Sequence, residues 1–110
     1  MIEYKYGEFQ DKQFSDALYE YRKKIYFLLL IVDKNTKDNY PYVDVDKAYD
    51  NLFKELGGLN ELLCYPKELV TVNALLEAAI VEYHNPDFEW SVYRKLVLDA
   101  GNEVLKVKGV

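Results

Sequence analysis

Phe14, Leu18, Tyr21, Ile25, Leu28 and Val32 recur at steps of four, three, four, three and four, and nothing else in the 110-residue chain restricts its fold as strongly. Only a helical period brings such a series onto one face. The pattern predicts a first helix from Asp11 to about Asp33. Residues 34–42 carry charges, Asn, Thr and Pro41, the composition of a loop. A second helix is expected with Val45, Ala48, Tyr49, Leu52, Phe53 and Leu56 on its apolar face, Asp44 as N-cap and Gly57-Gly58 as its stop. Leu59 to Tyr65 is expected to form one or two further helical turns.

Pro66 suits the first position of a third helix, which should run to about His84. Its main face is Leu69, Val72, Leu75, Leu76, Ala79, Ile80 and Tyr83. Val70, Ala74, Ala78 and Val81 make the other side apolar as well, which predicts a central helix. Asn85-Pro86 ends it. Asp87 is the expected cap of a fourth helix with Trp90, Tyr93, Leu96, Val97, Ala100 and Val104 on one face. Gly101 in its interior costs about 1 kcal/mol relative to Ala, and a close helix crossing is one way to compensate.

Ile2, Tyr4 and Tyr6 alternate with Glu3 and Lys5 in the period of a short strand closed by Gly7. Residues 40–43 or 104–107 are its expected partners. The predicted fold class is therefore all-α: an irregular bundle of about four helices with a possible N-terminal strand, forming one domain over residues 1–110.

Composition narrows the function classes. Cys64 is the only cysteine, so no internal disulfide can form, and a cytoplasmic setting is expected. No signal-peptide pattern opens the chain, and the apolar run Tyr26–Val32 is too short to span a bilayer, so no membrane association is expected. A net charge of −5 opposes direct binding to nucleic acid. Arg22-Lys23-Lys24 and Arg94-Lys95 would merge into a basic patch only if the first and fourth helices placed them together.

Candidate chemistry is sparse. Asp44, Asp46, Asp50 and Glu55 fall at positions 1, 3, 7 and 12 of a calcium-loop frame, but Ala48 and Tyr49 occupy the positions that need a ligand oxygen and a glycine. His84 and Glu77 lie seven residues apart, about 10.5 Å along a helix, too far to share one ion. His84 instead suits the helix C-terminus. Cys64, between Leu63 and Tyr65, is expected to be a buried, inert thiol. No catalytic residues, metal or cofactor are expected.

Eleven tyrosines are the oddity of the composition, and tyrosine is enriched at interfaces because it buries area while tolerating a wet edge. Tyr19, Tyr26, Phe27 and Leu30 lie off the core stripe of the first helix. Left bare, four large apolar side chains there would form a patch that monomers seldom expose, so either the second or fourth helix packs on them or a contact with another molecule covers them. The expected function is a non-enzymatic protein-interaction or assembly module that contacts a protein partner or a second copy through these four residues. Two other classes are open. One is an acidic inhibitor that mimics nucleic acid through Asp44, Asp46, Asp50, Glu77, Glu82, Asp87 and Glu89. The other is a small enzyme, with Cys64 as the group to test.

Overall fold

In a computed structural model, the backbone is described for residues 2–4, 7–9 and 11–107, and the side chains for residues 15–107. Two short strands, β1 (Ile2–Tyr4) and β2 (Gly7–Phe9), precede four helices, α1 (Asp11–Leu30), α2 (Val45–Leu62), α3 (Lys67–Tyr83) and α4 (Trp90–Val104), with a 3-10 turn at Lys37–Asn39. The fold is an all-α bundle, as the apolar periods predict. Tyr6 and the side chain of Phe14 lie outside the described residues.

The strand finds a different partner. β1 pairs antiparallel with β2, with Ile2 opposite Phe9 and Tyr4 opposite Gly7, and not with residues 40–43 or 104–107. Gly7 thus opens a second strand. A local hairpin closes a far shorter loop than either distant pairing, and loop closure costs least when it is short.

α1 ends at Leu30, a little before the expected boundary. Asp33 Oδ1 accepts from Asn35 N at 2.9 Å, and Thr36 Oγ1 donates to the Leu30 carbonyl at 2.7 Å. These local bonds take over from the helical ladder. α2 begins as expected, with the Asp44 side chain accepting from Lys47 N. It does not stop at Gly57-Gly58 but runs through both glycines to Leu62, because Leu59, Leu63 and the buried Asn60 continue its inner face.

The actual terminator is Leu63-Cys64-Tyr65-Pro66. Tyr65 N donates to the Asn60 carbonyl at 2.7 Å, the long bond of a Schellman cap, and Cys64 stands in the left-handed conformation usually left to glycine. Tyr65 is left-handed too, with φ 57°. Cys64 is consequently exposed rather than buried, since the cap lifts it off the core. Pro66 serves as the N-cap of α3, and its carbonyl accepts from Leu69 N and Val70 N.

α3 is not central. Leu69, Val72, Leu76 and Ala79 are fully buried, but Val70 is 51% and Val81 70% exposed. Its second apolar face consists of small side chains, and among the described residues no helix packs over it. The central helix is α4, which packs extensively against both α3 and α1 and buries Tyr93, Val97, Ala100, Gly101 and Val104. Gly101 makes that crossing possible: a Cβ there would overlap the ring of Tyr26 from α1. Asp87 does not cap α4. Glu89 does so without a side-chain bond, while Asn85 Oδ1 accepts from Asp87 N in the turn between α3 and α4.

Three buried tyrosines tie the bundle together. Tyr21 in α1 donates to the Leu52 carbonyl of α2 at 2.9 Å. Tyr49 in α2 donates to the hydroxyl of Tyr93 in α4 at 3.0 Å, and Tyr93 donates to the Leu28 carbonyl of α1 at 3.1 Å.

Candidate functional site

α1 and α2 meet less closely than the other packed helix pairs, because α1 turns most of its inner face toward α4. The seam between them is an open groove. Its floor comes from the flank of α1 that carries Ala17, Tyr21, Leu28 and Phe27, and from the flank of α2 that carries Ala48, Leu52, Leu59 and Leu62. Lys24 Nζ meets Glu55 Oε1 at 2.8 Å across the middle and divides the groove into two hollows. The one toward Phe27 and Ala48 holds about 390 Å³, and the one toward Ala17 and Leu62 about 300 Å³. Glu20, Lys24 and Glu55 line both, so the hollows adjoin at the ion pair. Gly58 borders the second hollow, where the absence of a side chain leaves the groove wide.

The four residues singled out on α1 fall in different places. Tyr19 (50%) and Leu30 (39%) are exposed on the outer ridge of the helix. Phe27 is half-buried at the end of the groove, in edge-to-face contact with Tyr40 at 5.0 Å. Tyr26 is half-buried on the α4 side, where its hydroxyl donates to Asn102 Oδ1 at 3.1 Å and the Arg22 guanidinium lies 4.9 Å from its ring centroid. Lys23 lies 5.0 Å from the Tyr19 ring centroid. The outer surface of α1 therefore comprises Tyr19, Lys23 and Leu30, with Phe27 leading from it into the groove.

The groove floor was not legible as a site. Ala48, Leu52 and Leu59 read as ordinary core positions, and the one available signal was the pair of glycines inside an otherwise unbroken apolar stripe.

Other candidate groups are placed in structural roles. Asp44 is a helix cap, and Asp46 Oδ1 meets His84 Nε2 at 2.6 Å, joining the start of α2 to the end of α3. Among the described residues, no group of three or more His, Cys, Asp or Glu side chains is arranged to hold a metal ion. The Asp46–His84 contact also sets the start of α2, with Asp44 and Asp46, beside the end of α3. The basic residues do not merge. Tyr26 sits at Gly101 and Asn102, whereas Arg94 lies seven positions earlier on α4, about 10 Å along its axis from Gly101. Burial pushes the hydroxyls of Tyr21, Tyr49 and Tyr93 well above the ordinary tyrosine range, so all three stay protonated donors beyond the pH at which an exposed tyrosine ionises.

No helix among the described residues is long and apolar enough to cross a membrane. Compared with known protein families, curated proteins and solved structures, the chain shows no match.

Proposed function

We propose that the chain is a non-enzymatic interaction module that receives another protein in the α1–α2 groove, with the ridge of Tyr19 and Leu30 as the rim of the contact. The observation that carries this reading is the open seam itself: two adjoining, mainly apolar hollows between helices, with exposed aromatic and aliphatic side chains beside them. Grooves of this kind accept the apolar face of an amphipathic helix, read through side chains spaced three and four apart. The Lys24–Glu55 pair would register such a helix by interrupting the floor midway.

The test compares wild type with two variants. Ala48→Arg fills the larger hollow from a half-buried position, and Tyr19→Glu with Leu30→Glu charges the rim from exposed ones. Tyr26 is unsuitable for such a test because its loss would loosen the crossing with α4. Both variants should keep the wild-type circular dichroism spectrum. Partner capture, or self-association by light scattering, should be lost in the first and weakened in the second. Full retention of binding in Ala48→Arg would remove the groove from the contact.

A second reading is favoured by the Asp46–His84 contact, which brings the acidic start of α2 to the acidic end of α3. In that reading this end imitates a run of phosphates on a partner's basic surface. Such binding would collapse in high salt, because exposed charges are screened within about 10 Å at 0.1 M. Capture that persists at high salt excludes it.

A further inference from the structure

We propose that the cavity between the α1–α2 loop and the start of α4 is a binding site for a small planar aromatic carboxylate. It holds about 360 Å³ and is lined by Val32, Asp33, Lys34, Asn35, Lys37, Phe88 and Trp90. That volume is at the small end of the ~300–1,000 Å³ typical of ligand pockets, which limits the occupant to one or two rings.

Both walls are built by local hydrogen bonds. On one side the Asp33–Asn35 and Thr36–Leu30 bonds fix the loop after α1. On the other, Phe88 N donates to the Asn85 carbonyl at 3.0 Å and Glu89 N to Glu82 Oε1 at 3.0 Å, fixing the approach to α4. Trp90 stacks on the buried Tyr93 at 5.9 Å between centroids, and Phe88 lies 5.7 Å from the same ring. Two aromatic side chains are thereby held at the cavity with the firmness of the core behind them.

Charge distinguishes this cavity from the groove. There Lys23 and Lys24 are each paired with a glutamate, so the lining is already neutralised. Here neither Lys34 nor Lys37 has a carboxylate within ion-pair distance among the described residues, although the chain as a whole is acidic. Asp33 offsets one of the two lysines, which leaves one net positive charge facing the space. A monoanion matches that balance and a dianion does not. The aromatic walls supply stacking area, and the lysines hold the carboxylate at the mouth as mobile point charges.

Trp90 is the only tryptophan in the chain, so its indole N–H gives a single, isolated nuclear magnetic resonance signal inside the proposed site. The full chain, labelled with nitrogen-15, would be titrated with 2-naphthoate, its neutral isostere 2-naphthamide, and inorganic phosphate. 2-Naphthoate should shift the indole signal saturably, 2-naphthamide should bind at least about tenfold more weakly, and phosphate should leave the signal in place. Replacing Lys34→Gln and Lys37→Gln together, both exposed, should weaken naphthoate by about tenfold or more without changing the circular dichroism spectrum. The proposal is overturned by no saturation up to about 10 mM, by equal affinity for the amide, by a phosphate shift of the same size, or by unchanged binding in the double variant. None of these results depends on the α1–α2 groove.

Discussion

Gly101 and Tyr26 share one point of closest approach between α4 and α1, and neither tolerates a change in the other. Alanine is the better helix former by about 1 kcal/mol, but its Cβ would collide with the hydroxyl-bearing edge of the Tyr26 ring, at Cε1 and Cζ, which cannot swing aside without leaving Asn102. Gly101→Ala should therefore destabilise the fold by about 2 kcal/mol in urea titration. Pairing it with Tyr26→Ala should cost less than the sum of the two single changes. The buried hydroxyls are ranked by how many bonds each change leaves open. Tyr49→Phe removes one donor and should cost about 1 kcal/mol. Tyr93→Phe removes the donor to Leu28 and strands the hydroxyl of Tyr49 in an apolar setting, so it should cost about 2 kcal/mol. Thermal unfolding of the two variants side by side checks the order.

Two glycines sit inside α2 with open space where a side chain would be, and nothing within the described fold compensates for their low helix propensity. Gly57→Ala should raise the urea midpoint by the equivalent of about 1 kcal/mol, because the helix gains rigidity and no contact is lost. The same element shows what is readable in a sequence. Its beginning was legible because an N-cap is local: Asp44 and the backbone of Lys47 suffice. Its end was not, because the local signal of Gly57-Gly58 is outweighed by the packing of Leu59 and Leu63 on the core, which depends on residues far away in sequence. α3 shows the converse limit: its main face was legible and is the one buried, but the small apolar residues opposite it imitate a second buried face that no helix of the described fold covers. Of the candidate surface, Tyr19 and Leu30 could be read as outward from the stripe alone. Tyr26 could not, since its position depends on the missing side chain of Gly101.

At the scale of the whole molecule, the buried tyrosines make stability depend on pH in the alkaline range. Burial raises the pKa of Tyr21, Tyr49 and Tyr93 in the folded chain, so above about pH 10 the unfolded chain releases protons that the folded one keeps. Their contribution is fully present below that pH and lost as pH rises beyond it. With all three titrating only in the unfolded chain, stability should fall by about 4 kcal/mol per pH unit, and Tyr49→Phe should reduce the slope by about a third. Denaturant midpoints measured at a series of alkaline pH values test both. The relay from Tyr49 to Tyr93 to Leu28 also has a bearing on how the protein is made. Its three members are separated by most of the chain, and the first two helices leave the ribosome well before residue 93. Until α4 arrives, the hydroxyl of Tyr49 has no native partner. Closure of the core is thereby a late event in synthesis: α2 can pack on α3 as soon as that helix emerges, whereas the face of α1 that α4 covers must wait for the last helix.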